Sequence, residues 1–270
     1  MPGHLTRILS DIHYGDRASI VGNLGQLQPL TESAACLVLN GDTLDTRAGP
    51  LPAHTQTCRE EVQAFAASLP EAVLISGNHD PDLVPKHMLE LAGGQVIVTH
   101  GDVLFDDIVP WGRDAHLIRR RIAAALAARV GGRLGLDERF AIWRAVAATI
   151  PQRHQSERNP LKYAVRFAAD TVWPPLRIVR ILRAWKRAPS LAADFAREHW
   201  PGARFIVIGH THRPGVWSPA GGPVVINTGS FCPPLGGFAV DIEPARLQVR
   251  QIQRRGHAFH ADRLIATFAL

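Results

Sequence analysis

Cysteine, methionine and tyrosine are scarce in this chain, at three, two and two of 270 residues. Cys36, Cys58 and Cys232 are far apart, odd in number and form no Cys-x-x-Cys pair, which excludes a disulfide framework and points to a reducing compartment. Long apolar runs are missing too. No stretch reaches the roughly 18 to 20 apolar residues that span a bilayer, and the opening Met-Pro-Gly-His-Leu-Thr-Arg has no signal-peptide core. The expected location is therefore the cytoplasm. Acidic residues are thin in one region: residues 111–200 hold 18 Lys and Arg against 7 Asp and Glu, which leaves 12 against 17 elsewhere. A slightly acidic body with a strongly basic middle suggests an anionic partner, whether a phosphorylated substrate, nucleic acid or a membrane surface.

What is present reads as one α/β domain over residues 1–270 with a helical, basic insertion at 111–199. Hydrophobic residues at 46% supply ample core. Short apolar runs ending in polar or glycine-rich turns recur at Arg7–Ser10, Cys36–Leu39, Val73–Ile75, Gln95–Thr99, Phe205–Ile208, Val224–Ile226 and Phe238–Val240, with helical material such as Glu60–Ser68 between them. That alternation predicts sheets buried on both faces. The later runs, ending in the alternating Arg246–Gln251, predict a second sheet, so the expected architecture is a two-sheet sandwich flanked by helices. Within the insertion, Asp114–Val130 reads as helical, Asp137 as the cap of a helix ended by Pro151, and Asn159-Pro160 as another helix start that runs to Trp173-Pro174-Pro175. Arg177, Arg180, Arg183 and Arg187 then recur at helical spacing beside Ile178, Ile181, Leu182 and Trp185, a basic amphipathic pattern. Such a helix suits an anionic membrane surface as well as it suits a solvated face over a core.

The ends of the apolar runs carry the chemistry. They deliver Asp11 and His13, Asp42 and Asp45, Asn78, His79 and Asp80, His100 and Asp102, then His210 and His212. In Asp11-x-His13 and His210-x-His212, residues two apart in extended chain point to the same side, so each pair can aim at one spot. Mixed oxygen and nitrogen donors suit divalent manganese, iron, zinc, cobalt or nickel. Each string alone marks a cap or a turn more readily than a ligand; five in order, each after an apolar run, make a site.

Taken together, Asp11-x-His13, Gly41-Asp42, Gly77-Asn78-His79-Asp80, His100 and Gly209-His210-Thr211-His212 resemble the signature of the calcineurin-like metallophosphoesterase superfamily, with Asn227-Thr228-Gly229-Ser230 similar to a further family turn. The resemblance covers about residues 5–110 and 203–250. It implies two divalent metal ions, manganese first among the candidates, with Asp11, His13, Asp42 and His212 on one and Asp42, Asn78, His100 and His210 on the other. It also implies that His79 faces the substrate phosphate while Asp80 orients it. Asp45 fits the family's second aspartate, as a supporting, turn-capping or catalytic group. Arg47, displaced by one position through Thr46, is a candidate phosphate contact.

The long interval between His100 and His210 places a helical module beside the site, where it can act as a lid. "HGDVLFDD" followed by an arginine-rich insert is similar to the UDP-2,3-diacylglucosamine hydrolases of lipid A synthesis, peripheral membrane enzymes that cleave a pyrophosphate and carry arginine where this chain has His79. The expected activity is hydrolysis of a phosphomonoester, phosphodiester or pyrophosphate on a small-molecule, nucleotide or lipid-linked substrate, at the inner face of the membrane if the basic helix meets lipid. A nuclease is the enzymatic alternative, although interleaved aromatics of a nucleic-acid motif are absent; a metal-free scaffold is the non-enzymatic one.

Overall fold

The computed structural model describes residues 5–129, 132–152, 162 and 176–270. Its elements are β1 (Thr6–Leu9), α1 (Gln28–Thr31), β2 (Cys36–Asn40), α2 (Pro52–Ala67), β3 (Ala72–Ile75), β4 (Met88–Leu91), β5 (Val96–Thr99), α3 (Ala115–Ala127), α4 (Leu136–Ala148), α5 (Leu176–His199), β6 (Phe205–Ile208), β7 (Gly215–Trp217), β8 (Val224–Asn227), β9 (Phe238–Glu243), β10 (Arg246–Arg255) and β11 (Ala258–Ala269). One sheet has the order β11-β10-β9-β1-β2-β3 and the other β4-β5-β6-β8-β7. The strands β1, β2 and β3 run parallel, as do β5, β6 and β8, and antiparallel strands flank each parallel core.

The two-residue period of each strand explains the layering. Ile8, Val38, Val96, Val98, Phe205, Val207, Ile226 and Val240 fill the space between the sheets. Their neighbours turn outward: Leu9, Leu37 and Leu39 meet a helical layer that includes Leu27, Leu30, Cys58 and Val62, while Ile97, Ile206, Ile208 and Val225 meet Phe140, Trp143 and the alanines of α5. The runs in β2, β5 and β6 are thus buried on both faces, as the two-sheet sandwich flanked by helices requires, while β3 at the sheet edge is only partly buried.

Several sequence expectations are corrected. The late runs at Phe238 and Arg246 do not join a second sheet; β9 pairs antiparallel with β1, and β10 follows it into the first sheet. An ion pair helps fix that register, since Arg7 Nε and Nη2 donate to the two Asp241 oxygens at 2.6 and 2.7 Å, and both residues are buried. The strands β4, β7 and β11 carry little apolar periodicity and are held by their neighbours. Asp137 lies in the first turn of α4, after an N-cap at Gly135, where its charge complements the helix dipole. The expected helix at Asn159-Pro160 lies outside the described residues.

The helix α5 divides into two halves. From Ala184 onward its buried residues are Ala184, Ala188, Pro189, Ala192, Ala193, Phe195 and Ala196, and the alanines let the helix approach β6 and β8 closely. Its first half instead exposes Leu176, Ile178, Val179 and Leu182, the last at 53%. Of the two readings of this basic amphipathic pattern, the exposed apolar side chains do not fit a face over a core. No described helix is long and apolar enough to cross a membrane.

Candidate metal centre

Five strand ends meet at one edge of the sandwich. Backbone bonds lock them in place: Asp11 N donates to Gly41 O at 3.1 Å, His13 N to Asp42 O at 2.9 Å, Gly209 N to His100 O at 2.9 Å and Phe231 N to Asp11 O at 3.0 Å. Asp11, His13, Asp42, His210 and His212 all adopt left-handed backbone, with φ of 51°, 49°, 50°, 65° and 55°. That conformation costs an L-residue roughly 1–2 kcal/mol, and its concentration here marks strain held at a site. Neighbouring glycines permit the crowding. A Cβ at Gly77 would strike the Asp42 carboxylate, and one at Gly209 would strike that of Asp11.

The side chains form two adjoining groups. In the first, His13 Nε2 and His212 Nε2 face each other at 3.2 Å, and His212 Nε2 lies 3.2 Å from Asp11 Oδ1. In the second, donor atoms of Asp42, His100 and His210 lie within 4.8 Å of one another, with His100 Nε2 3.3 Å from Asp42 Oδ2. The same Asp42 oxygen is 3.8 Å from His13 Nε2, so one carboxylate borders both groups. Its other oxygen accepts from His79 N at 2.7 Å. Burial is nearly complete for Asp11, Asp42, Asn78, His100 and His210, whereas the His212 side chain is 35% exposed.

These residues fit a pair of cations for a specific reason. His100 Nδ1 lies 3.0 Å from Asn40 O and must donate to it, so in the neutral ring Nε2 aims a lone pair at a carboxylate. Two acceptors in contact are unfavourable unless a proton or a metal cation sits between them. His210 Nε2 likewise donates to Ile108 O at 2.8 Å, leaving Nδ1 available. Asn78 Oδ1 and His100 Nε2 are both buried without a hydrogen-bond partner, a state native structures rarely leave unexplained. Without a metal ion, a proton takes the gap between His100 Nε2 and Asp42. Burial opposes the His100 cation, but Asp42 and Asp11 raise its pKa well above the ordinary value; burial and the His100 charge push His210 down to about 3. For Asp42, burial is outweighed by His100, His79 and His13, and its pKa is held well below the usual carboxylate range.

His79 stands beside both groups, its ring edge-on to His13 at 4.8 Å between centroids. The expectation that Asp80 orients it is corrected. Asp80 turns under the loop and accepts from the backbone N–H groups of Asp42, Thr43 and Gly77 at 3.1, 2.7 and 2.6 Å, so it fixes the loop and makes no contact with the imidazole among its hydrogen bonds. Burial first, and then Asp42, push its pKa up to about 7. Asp45 takes the expected place, with Oδ2 3.0 Å from His79 Nδ1. Burial and Arg47 oppose a charged His79, yet Asp42 and Asp45 leave its pKa raised. Arg47 grips Asp45 through Nε at 3.0 Å and Nη2 at 2.6 Å, and Nη2 reaches His79 Nδ1 at 2.7 Å. Arg47, Asn78 and His79 line a cleft together with Ile108, Val109, Ile118, Ala147, Ile150 and Arg177.

Sequence reasoning passed over Cys232. Its Sγ lies within 4.8 Å of donor atoms of both His13 and His212; burial and then Asp16 push its thiol up to about 12. No spacing rule ties a cysteine after Asn-Thr-Gly-Ser to a histidine pair, so only the fold could bring it here.

No family model matches this chain, and no curated protein does. Solved structures similar to it include vacuolar protein sorting 29 from Cryptosporidium parvum, 12% identical over 99% of each chain with a TM-score of 0.44. A predicted phosphoesterase from Streptococcus pneumoniae is 14% identical over 100% of this chain and 99% of that one, at 0.39, and a dimetal phosphatase from Danio rerio is 14% identical over 93% and 96%, at 0.44. Likenesses this distant carry no chemical argument, so any functional reading has to stand on the cage itself.

Proposed function

We propose that this chain is a two-cation phosphohydrolase of the calcineurin-like metallophosphoesterase type. Asp11, His13, Asp42 and His212 would hold one divalent ion, and Asp42, Asn78, His100 and His210 the other, with manganese the expected metal. The observation that carries this reading is the Asp42 carboxylate, one oxygen of which borders His100 Nε2 at 3.3 Å and His13 Nε2 at 3.8 Å. When bound, such a pair acidifies a water molecule and clamps phosphoryl oxygens. The residues of the chain do the rest. His79, held by Asp45, stands at the cleft wall to donate a proton to the leaving oxygen. Arg47 adds positive charge to the same wall. Asp80 keeps the loop of Asn78 and His79 in shape.

The cleft supports a substrate with a phosphoryl group at the cage and an apolar portion against Ile108, Val109, Ile118, Ala147 and Ile150, under a helical lid. Leu176, Ile178, Val179 and Leu182 are exposed among the arginines of α5, which supports a lipid-linked ester or pyrophosphate met at the cytoplasmic face of a membrane. The test loads the metal-free chain with manganese and compares aryl phosphate, bis-aryl phosphate, a UDP-sugar lipid and single-stranded DNA. Manganese-dependent turnover with the lipid-linked substrate preferred is expected; two bound ions with no hydrolysis of any ester would end the reading. Neutralising Arg180, Arg183 and Arg187 should weaken co-sedimentation with anionic liposomes and leave aryl phosphate turnover unchanged.

A further inference from the structure

The three cysteines occupy different surroundings. Cys36 belongs to the apolar layer between the sheets and Cys58 to the cluster under α2. Cys232 is as buried, at 8% exposure, yet it belongs to neither cluster and faces imidazoles. Its position is fixed. Ser230 Oγ accepts from Cys232 N at 2.7 Å, and the adjoining Phe231 is pinned by its N–H to Asp11 O at 3.0 Å and by its carbonyl to Ile20 N at 3.0 Å. The turn that carries the thiol is therefore anchored to the strand end that carries Asp11. His13 Nε2 and His212 Nε2 are 3.2 Å apart, close to the roughly 3.3 Å edge of a tetrahedral ion with metal–nitrogen bonds of about 2.0–2.1 Å. Two imidazoles aimed at one point and a thiol beside them form the donor set of a thiophilic ion.

We propose that Cys232 is a thiolate donor to the His13–His212 position and makes that position select a thiophilic divalent ion such as zinc, while the Asp42–Asn78–His100–His210 position, built of oxygen and imidazole, accepts manganese. The inference rests on the two-cation reading above and specifies its metals. Bond formation is balanced by release of the thiol proton to solvent as the sulfur–metal bond forms, with no change of oxidation state. The consequence is a mixed-metal centre whose more exposed position is also its softer one.

Cobalt(II) titration of the metal-free full chain tests this. Wild type should bind two cobalt ions and develop a sulfur-to-cobalt charge-transfer band in the near ultraviolet; Cys232→Ser should bind two and lack the band, while Cys58→Ser keeps it. In competition between zinc and manganese, Cys232→Ser should lower the zinc preference by about tenfold. Should Cys232→Ser fail to fold, alkylation of wild type mapped by mass spectrometry replaces it: added zinc should protect Cys232 and leave Cys36 and Cys58 unchanged. Two cobalt ions bound without the band, a band that survives in Cys232→Ser, or absence of zinc protection overturns the inference alone. No cobalt bound overturns it together with the two-cation reading.

Discussion

The two halves of the cage differ in how they are built. On one side His100 and His210 are at most 3% exposed, and each ring is tied by a carbonyl, Asn40 O or Ile108 O, that fixes its orientation before any ion arrives. On the other, His212 is 35% exposed on its side chain, and the His13 and His212 rings are oriented chiefly by each other and by Asp11. The first half is assembled by folding. The second is completed by what enters it. Asp42 belongs to both, so its loss should be felt most widely.

Asp42→Asn therefore tests whether the halves are joined. Turnover of an aryl phosphate should fall by on the order of 10³ or more, and bound metal should fall below two ions per chain by elemental analysis. Turnover within tenfold of wild type would separate the halves. The next contrast sets His100→Ala against His212→Ala. Each should weaken metal binding by about 10- to 100-fold. Only His100→Ala should also destabilise the metal-free chain, by about 1–3 kcal/mol, because Asn40 O is left without a donor in the interior. Equal urea midpoints for the two variants would contradict the asymmetry.

The same asymmetry explains what was legible in the sequence. Strand ends at Asp11, Asp42, Asn78, His100 and His210 follow apolar runs, so hydrophobic period and turn chemistry locate them without a fold. What could not be read depends on side-chain direction in loops. Asp80 follows His79 directly, yet one side chain turns inward to backbone N–H groups and the other outward to the cleft, so the partner of His79 comes from Asp45, 34 residues away. Cys232 was hidden for a similar reason: its neighbours in space lie at His13 and His212. The buried side of α5 is not legible because alanines carry weak hydropathy but pack closely, while the larger Ile178 and Leu182 of the basic amphipathic pattern stay exposed. The left-handed backbone at five of the cage residues has no sequence signal beyond the tolerance of Asp and His for it.

The roles of Asp45 and Asp80 can be separated by experiment. Asp45→Asn should slow turnover by about tenfold with little change in melting temperature, because it loosens His79 and Arg47 without uncovering backbone. Asp80→Asn should do the reverse. Its amide can present only one oxygen to three converging N–H groups, a loss of about 1–3 kcal/mol visible as a lower urea midpoint. A rate effect confined to Asp80→Asn would restore the orienting role to that residue.

The smallest effect expected lies outside both halves, where the loop following the Asn78–Asp80 turn meets α4. His87 stacks on Phe140 with ring centroids 5.1 Å apart, and its Nε2 accepts from Arg144 Nη1 at 3.1 Å. Burial and then the Arg144 charge pull its pKa down to about 4, against a weaker opposing pull from Asp137. The unfolded chain, titrating near 6.5, then binds more protons than the folded one between those values. Stability from this group is complete above about pH 6.5 and is lost as pH falls toward 4. His87→Phe should flatten that part of the pH profile of urea unfolding, and the wild-type imidazole should titrate near 4 by NMR. Because His87 touches neither cation position, metal content should stay constant across the two chains, and any pH slope that disappears with His87 belongs to the docking of α4 rather than to the cage. An imidazole midpoint at or above 6.5 would instead mean that the Arg144 contact does not govern this residue.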